Sequence, residues 1–231
     1  MLRNTLFVKL LLIFTLPAIG ILYFSTILVL DKIDTLSQVD NIQNDVKYIF
    51  ATEKVIDSIQ KERGYTAIYL NTKKYKDKLF KQREITNRVY QEFLVTISKI
   101  EKETQNSEYS VKKVQNIFND FTNIRKNVDE NKIDSNKIIK FYTKINNILL
   151  STIYSIKPIK FVTNFNTKFA YIVNLLTTKE AAAVERIMTS LYIINKKISD
   201  ENYQKLIQTY TIQNINIEEF LLSAEKNEID A

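Results

Sequence analysis

A chain of 231 residues with only 2 glycines and 2 prolines has almost nothing from which to build tight turns. Hairpin turns need residues that accept positive φ or that pre-set φ near −65°, so a sheet protein of this length would use many of both. Long helices joined by a few polar turns are the natural alternative. No segment shows sustained alternation of apolar and polar residues bounded by turn formers, which is the signature of a half-buried strand. The expected fold class is therefore all-α.

The stretch LLLIFTLPAIGILYFSTILVL, Leu10 to Leu30, carries no charge. At 1.5 Å per residue it reaches about 31 Å as a helix, the thickness of a bilayer core. It is longer than the apolar region of a secretory signal, and it closes with ILVLDKID, which offers no small-x-small cleavage site. The sequence thus predicts an uncleaved transmembrane helix. Arg3 and Lys9 precede it, while Asp31 and Lys32 follow with no net charge. The positive-inside rule then places residues 1–9 in the cytoplasm, 10–30 in the inner membrane and 31–231 in the periplasm.

Apolar periodicity beyond the anchor predicts six helices. The first spans about Asp34 to Leu70, with Val39, Ile42, Val46, Ile49, Ile56, Ile59 and Leu70 near a 3.6 period. The second covers about Tyr75 to Lys102, with Leu79, Ile85, Val89, Phe93, Ile97 and Ile100 inward. The third runs from about Glu108 to Val128, after a turn in which Ser107 is the expected N-cap. The fourth runs from Ser135 to about Ile156, where Lys157-Pro158 marks a break. The fifth spans about Asn166 to Lys196, and the sixth about Asp200 to Ala224 with Ser199 as N-cap.

Composition removes several function classes. Without cysteine there is no thiol nucleophile, disulfide or thiolate metal site, and without histidine the usual general base and commonest metal ligand are missing. No Gly-rich phosphate loop, nucleophile elbow or paired-carboxylate pattern occurs, so neither an enzyme nor a cofactor site is expected. The 33 Lys and Arg against 26 Asp and Glu give a net +7. This excess is spread along the chain without a basic, aromatic-interleaved block, so nucleic acid is not an expected partner.

Two stretches nearly repeat: ERGYTAIYL at Glu62–Leu70 and ERIMTSLYI at Glu185–Ile193. Ile56, Ile59, Arg63, Thr66 and Leu70 share one heptad seam, and so do Leu175, Lys179, Ala182, Arg186, Thr189 and Ile193. Each seam places an arginine at a core position with a threonine one turn later. A buried guanidinium must be satisfied. Two such planar forks could hold a planar oxyanion. Gly64 and Ala181–Ala183 leave room beside them, for a ligand or for a close helix crossing. Equally, Arg63 with Glu185 and Arg186 with Glu62 could be reciprocal ion pairs that need no ligand. The residues alone leave both readings open.

IQKERGYTAIYL (Ile59–Leu70) and KEAAAVERIMTSLYI (Lys179–Ile193) resemble the two signature helices of the NIT family, the nitrate- and nitrite-sensing domains of bacterial receptors. The resemblance implies an antiparallel helical sensor domain of two stacked four-helix-type bundles after the transmembrane helix. It implies nitrate, nitrite or a similar small anion as the ligand, held by Arg63 and Arg186. Lys61 and Lys179 are secondary candidates, and Thr66 and Thr189 accompany the arginines on their seams. Such domains usually lie between two membrane spans and feed a chemotaxis module, a sensor kinase or a cyclic-dinucleotide enzyme. No second span follows FLLSAEKNEIDA, so a second span and a cytoplasmic output module are expected in a longer protein. The full expectation is a homodimeric membrane receptor in which the anion biases the first helix against the last. The alternative is a membrane-anchored helical protein-interaction module with structural Arg–Glu pairs and no small-molecule ligand.

Overall fold

The computed structural model describes residues 2–104, 115, 116, 118–156 and 163–223. No strand occurs among them, and six helices carry the fold: α1 (Leu2–Thr72), α2 (Lys76–Thr104), α3 (Phe121–Asp129), α4 (Ser135–Tyr154), α5 (Thr163–Asn195) and α6 (Asp200–Ser223). The chain divides into two compact units, Met1–Asn44 and Asp45–Ala231.

Unit one is helical throughout its described residues, including Pro17. The apolar segment Leu10–Leu30 and the first sequence-predicted helix are thus one element, α1. The charged DKID at residues 31–34 carries no helix breaker, so helical hydrogen bonding runs on through it. This part of α1 is long and apolar enough to cross a membrane, and its most apolar window buries nothing. Leu11, Phe14, Leu22, Phe24 and Leu28 all stand exposed.

Unit two buries two apolar clusters. The larger gathers Val55, Ile56 and Ile59 of α1, Leu79, Phe93 and Ile97 of α2, Phe121 and Val128 of α3, and Ile138, Tyr142, Leu149 and Ile153 of α4. The smaller joins Ala67 of α1 and Ile139 of α4 to Val184, Ile187, Met188 and Leu191 of α5, with Leu206 of α6 against it. With Val173 of α5 in the larger cluster, five helices contribute to it and four to the smaller, and α1, α4 and α5 belong to both. An interior helix can do this because its apolar positions cover more than one face.

The helix ends show how a glycine-poor chain turns. Lys73, Asn131 and Lys196 adopt φ of 58°, 56° and 56°. After α1 and α5 the residue at positive φ returns its N–H to the helix, Lys73 to the Tyr69 carbonyl and Lys196 to that of Tyr192, both at 2.8 Å. The cap of α4 is Asp134, whose carboxylate accepts from Lys137 N–H at 2.9 Å. Ser199 caps α6 as expected, accepting from Asn202 N–H at 3.2 Å. The Ser107 cap, the start of the third predicted helix and the Lys157-Pro158 break lie outside the described residues.

Leu149 is fully buried in the larger cluster, whereas Val95 on α2 is 70% exposed. Leu149→Ala is expected to lower unfolding free energy by about 2–5 kcal/mol and Val95→Ala to change it by less than about 0.5 kcal/mol, read from urea midpoints.

Candidate functional site

Glu62 and Arg63 are adjacent on α1, so their side chains leave the helix about 100° apart. Both are fully buried. Glu62 faces the larger cluster. It accepts two parallel bonds from Arg125 of α3, Nε to Oε1 and Nη2 to Oε2, each 2.7 Å, and a third from the Tyr142 hydroxyl at 2.8 Å. The Arg125 guanidinium also lies over the Phe121 ring, 5.1 Å from its centroid. Burial and the neighbouring Glu62 charge push the Tyr142 phenol well above its ordinary pKa, so it stays a donor.

Arg63 faces the other way. Its Nη1 donates to Glu180 Oε1 of α5 at 2.5 Å and to Thr143 Oγ1 of α4 at 2.7 Å, and its Nη2 reaches Glu180 Oε2 at 3.3 Å. Glu180 also accepts from Gln60 and Asn146, both at 2.8 Å. The two buried acids and two guanidinium groups therefore cancel pairwise, in the fork geometry that best offsets desolvation. The expected reciprocal pairs do not form. Arg63 takes Glu180 rather than Glu185, and Glu62 takes Arg125 rather than Arg186. Glu185 instead accepts from Gln213 of α6 at 2.5 Å.

Arg186 is exposed, which corrects the expectation of a core arginine on α5. The inward seam of that helix is Val173, Leu176, Glu180, Val184, Ile187 and Leu191, and the seam read from the sequence is its outer neighbour. The inward seam carries five aliphatic residues and one charge, the outer one three apolar residues and two cations, so the count of apolar residues favours the seam that the structure buries.

A groove of about 550 Å³ lies between α1 and α5, lined by Asp57, Gln60, Lys61, Gly64, Lys179 and Arg186 among others. Three cations thus face one acid. Lys61 pairs with Asp57 at 2.7 Å, while Lys179 pairs with Glu53 at 2.5 Å and Asp57 at 3.3 Å. Burial alone would raise the Asp57 carboxyl, but the hydrogen bond from Lys61 and the charge of Lys179 outweigh it and hold it below its ordinary value. Burial likewise opposes the Lys179 charge, but Glu53 and Asp57 together raise its pKa. Arg186 has no carboxylate partner among the described residues. A Cβ on Gly64 would meet no atom within 4 Å. This glycine therefore keeps a groove open rather than permitting a tight crossing.

The structure brings Lys61, Lys179 and Arg186 to one groove and sets Arg63 behind it. Gln60 links the two layers, because it lines the groove and donates to Glu180. Thr66 is buried and donates to the Glu62 carbonyl at 2.7 Å, and Thr189 is exposed on α5; neither lines the groove. Sequence reasoning missed Glu180 and Arg125. Both carry a signal: each interrupts an apolar seam, Glu180 between Leu176 and Val184, Arg125 between Phe121 and Val128.

The family model for nitrate and nitrite sensing matches residues 54–231. The chain belongs to the NIT family. Its fold is similar to the structure of the NasR transcription antiterminator, with a TM-score of 0.69 at 15% identity, covering 87% of this chain and 57% of that one. The likeness is one of fold, and the chain spans little more than half the length of that protein. No curated protein matches the sequence. The NIT match includes both Glu-Arg stretches, the buried pair at Arg63 and Glu180, and every residue named in the groove except Glu53, which precedes it by one position.

Arg63→Ala strands the Glu180 carboxylate and is expected to lower unfolding free energy by roughly 3–5 kcal/mol. Arg63→Met combined with Glu180→Gln removes both charges and keeps an acceptor for Gln60 and Asn146. It should recover most of that loss, measured by denaturant unfolding.

Proposed function

We propose that this NIT domain senses a small planar anion, nitrate or nitrite, in the groove between α1 and α5. The observation that carries the reading is Arg186, the groove's cation without an acid partner, within a family described by nitrate and nitrite sensing. Its guanidinium offers two parallel donors to two oxygens of a trigonal anion. Lys61 and Lys179 at the rim add positive charge. Arg63 acts from the second layer, through Glu180 and Gln60, by holding α1 and α5 in register behind the ligand. An anion that ties the two helices differently from water biases their relative position, and such differential affinity is what a sensor requires.

In this reading residues 1–9 are cytoplasmic, residues 10–30 anchor the chain in the inner membrane, and residues 31–231 form a periplasmic sensor that works as a homodimer. Length, apolarity and exposure of the N-terminal segment support the anchor, and the excess of Arg3 and Lys9 before it supports the orientation. The output module, a chemotaxis transducer or sensor kinase, belongs to the full-length receptor.

A second reading has one observation in its favour. The buried or mostly buried guanidinium groups of Arg63, Arg83 and Arg125 are each paired with a carboxylate within the chain. The architecture would then need no ligand, and the domain would be an interaction module.

Thermal melting of the chain in nitrate, nitrite or chloride at equal ionic strength separates the two. A specific site adds about 2.7 kcal/mol at a hundredfold excess over Kd. We expect that stabilisation from nitrate or nitrite, absent in Arg186→Ala, whose own melting temperature in chloride is unchanged because the side chain is exposed. Gly64→Leu should fill the groove and also abolish the effect. Equal melting in all three anions supports the interaction module.

A further inference from the structure

A second groove, of about 700 Å³, runs between α4 and α6. It is larger than the anion groove and shares no lining residue with it. Asn202 of α6 donates to Asn136 of α4 at 3.4 Å and ties the two helices where both begin. Three apolar side chains line the groove: the buried Ile139 and Met188 and the half-buried Ile148. Ile139 and Met188 belong to the smaller cluster, so the groove opens onto that core.

The charges are one-sided. Lys140, Lys144 and Lys205 line the groove with one acid, Glu201, which Lys140 already pairs at 2.5 Å. Lys144 and Lys205 have no carboxylate partner among the described residues, and Lys205 is half-buried. Thr143 adds a donor. Its Oγ1 accepts from Arg63 Nη1 at 2.7 Å, while its own hydroxyl proton meets no acceptor among the described residues. Thr52, Thr66 and Thr86 instead donate that proton to the carbonyl four residues back.

We infer that this groove is a second ligand site, for an organic acid that joins an apolar body to a carboxylate. Each part of the lining argues against a simpler ligand. An inorganic anion would pair with the lysines but leave Ile139, Ile148 and Met188 against water. A neutral apolar molecule would cover them but strip water from Lys205 without supplying a countercharge. An amine would add a like charge. A carboxylate can accept from Lys205 and from Thr143 together, and its apolar body lies on the three apolar side chains. The volume is that of a small-molecule pocket. Such a ligand touches Thr143, whose partner Arg63 stands behind the anion groove, without entering that groove.

The site does not depend on the anion reading. It is tested by calorimetric titration of the full chain in lipid nanodiscs with benzoate, phenylacetate and octanoate, after subtraction of the heat into protein-free nanodiscs. Acetate supplies the charge without the body, and phenylethanol the body without the charge. At least one of the three acids is expected to give saturable heat, with acetate and phenylethanol binding at least about tenfold more weakly. Lys205→Gln is expected to weaken the acid at least about tenfold. Asn147→Trp, at an exposed position that lines the groove, is expected to fill it and abolish the heat. Both variants should melt at an unchanged temperature without ligand. Arg186→Ala should leave acid binding intact, so failure of this site and failure of the anion site are read separately. No saturable heat from any of the three acids would overturn the inference. So would equal binding of acetate or phenylethanol, or an acid affinity untouched by Lys205→Gln.

Discussion

The buried charges on α1 set the terms for everything around them. Glu62 and Arg63 cannot stay buried alone, so α3 must bring Arg125 to one and α5 must bring Glu180 to the other. A helix that belongs to both apolar clusters thereby acquires a fixed rotation and a fixed height. Sliding α5 by one turn would move the Glu180 carboxylate about 5.4 Å along the axis and strand both it and Arg63. The apolar contacts supply most of the stability but tolerate many registers. The two ion pairs select one.

That selection also places the groove. With Glu180 turned inward onto Arg63, its neighbour Lys179 stands at the rim with Lys61, and Arg186 lies on the same open side nearly two turns further along. The structural pairs and the candidate anion site are therefore two consequences of one arrangement. The near-repeat of Glu-Arg conceals different roles. The first copy pairs both of its charges inside the domain, while the second gives its glutamate to Gln213 and leaves its arginine to the solvent side.

Helices were legible because scarce glycine and proline leave few breaks and because α2 and α4 have strongly one-sided apolar patterns. The limits of α2, α5 and α6 fall within a few residues of those read from the sequence. The long apolar N-terminal helix was equally plain, although its fusion with the next helix was not, since a charged DKID looks like a boundary and contains no breaker. The anion motif was visible as residues but not as geometry. The more apolar seam of α5 is the one that carries Glu180, and the Glu-Arg repeat points to the neighbouring row with Arg186 instead. Adjacent Glu-Arg pairs also invite the eye to match them with each other, although a helix turns neighbours 100° apart. A charge that interrupts an apolar seam, as Glu180 and Arg125 do, was the better guide to a buried partner.

In the proposed site Arg63 belongs to the architecture and Arg186 to the ligand. The most direct measurement is a nitrate titration by calorimetry of the chain carrying Arg63→Met with Glu180→Gln. The expected result is a folded protein with saturable nitrate heat and an affinity within about tenfold of the unaltered chain, since only the layer behind the groove has changed. A protein that folds with its pattern of secondary structure intact, retains Arg186, and gives no nitrate heat would contradict it and make Arg63 a direct ligand.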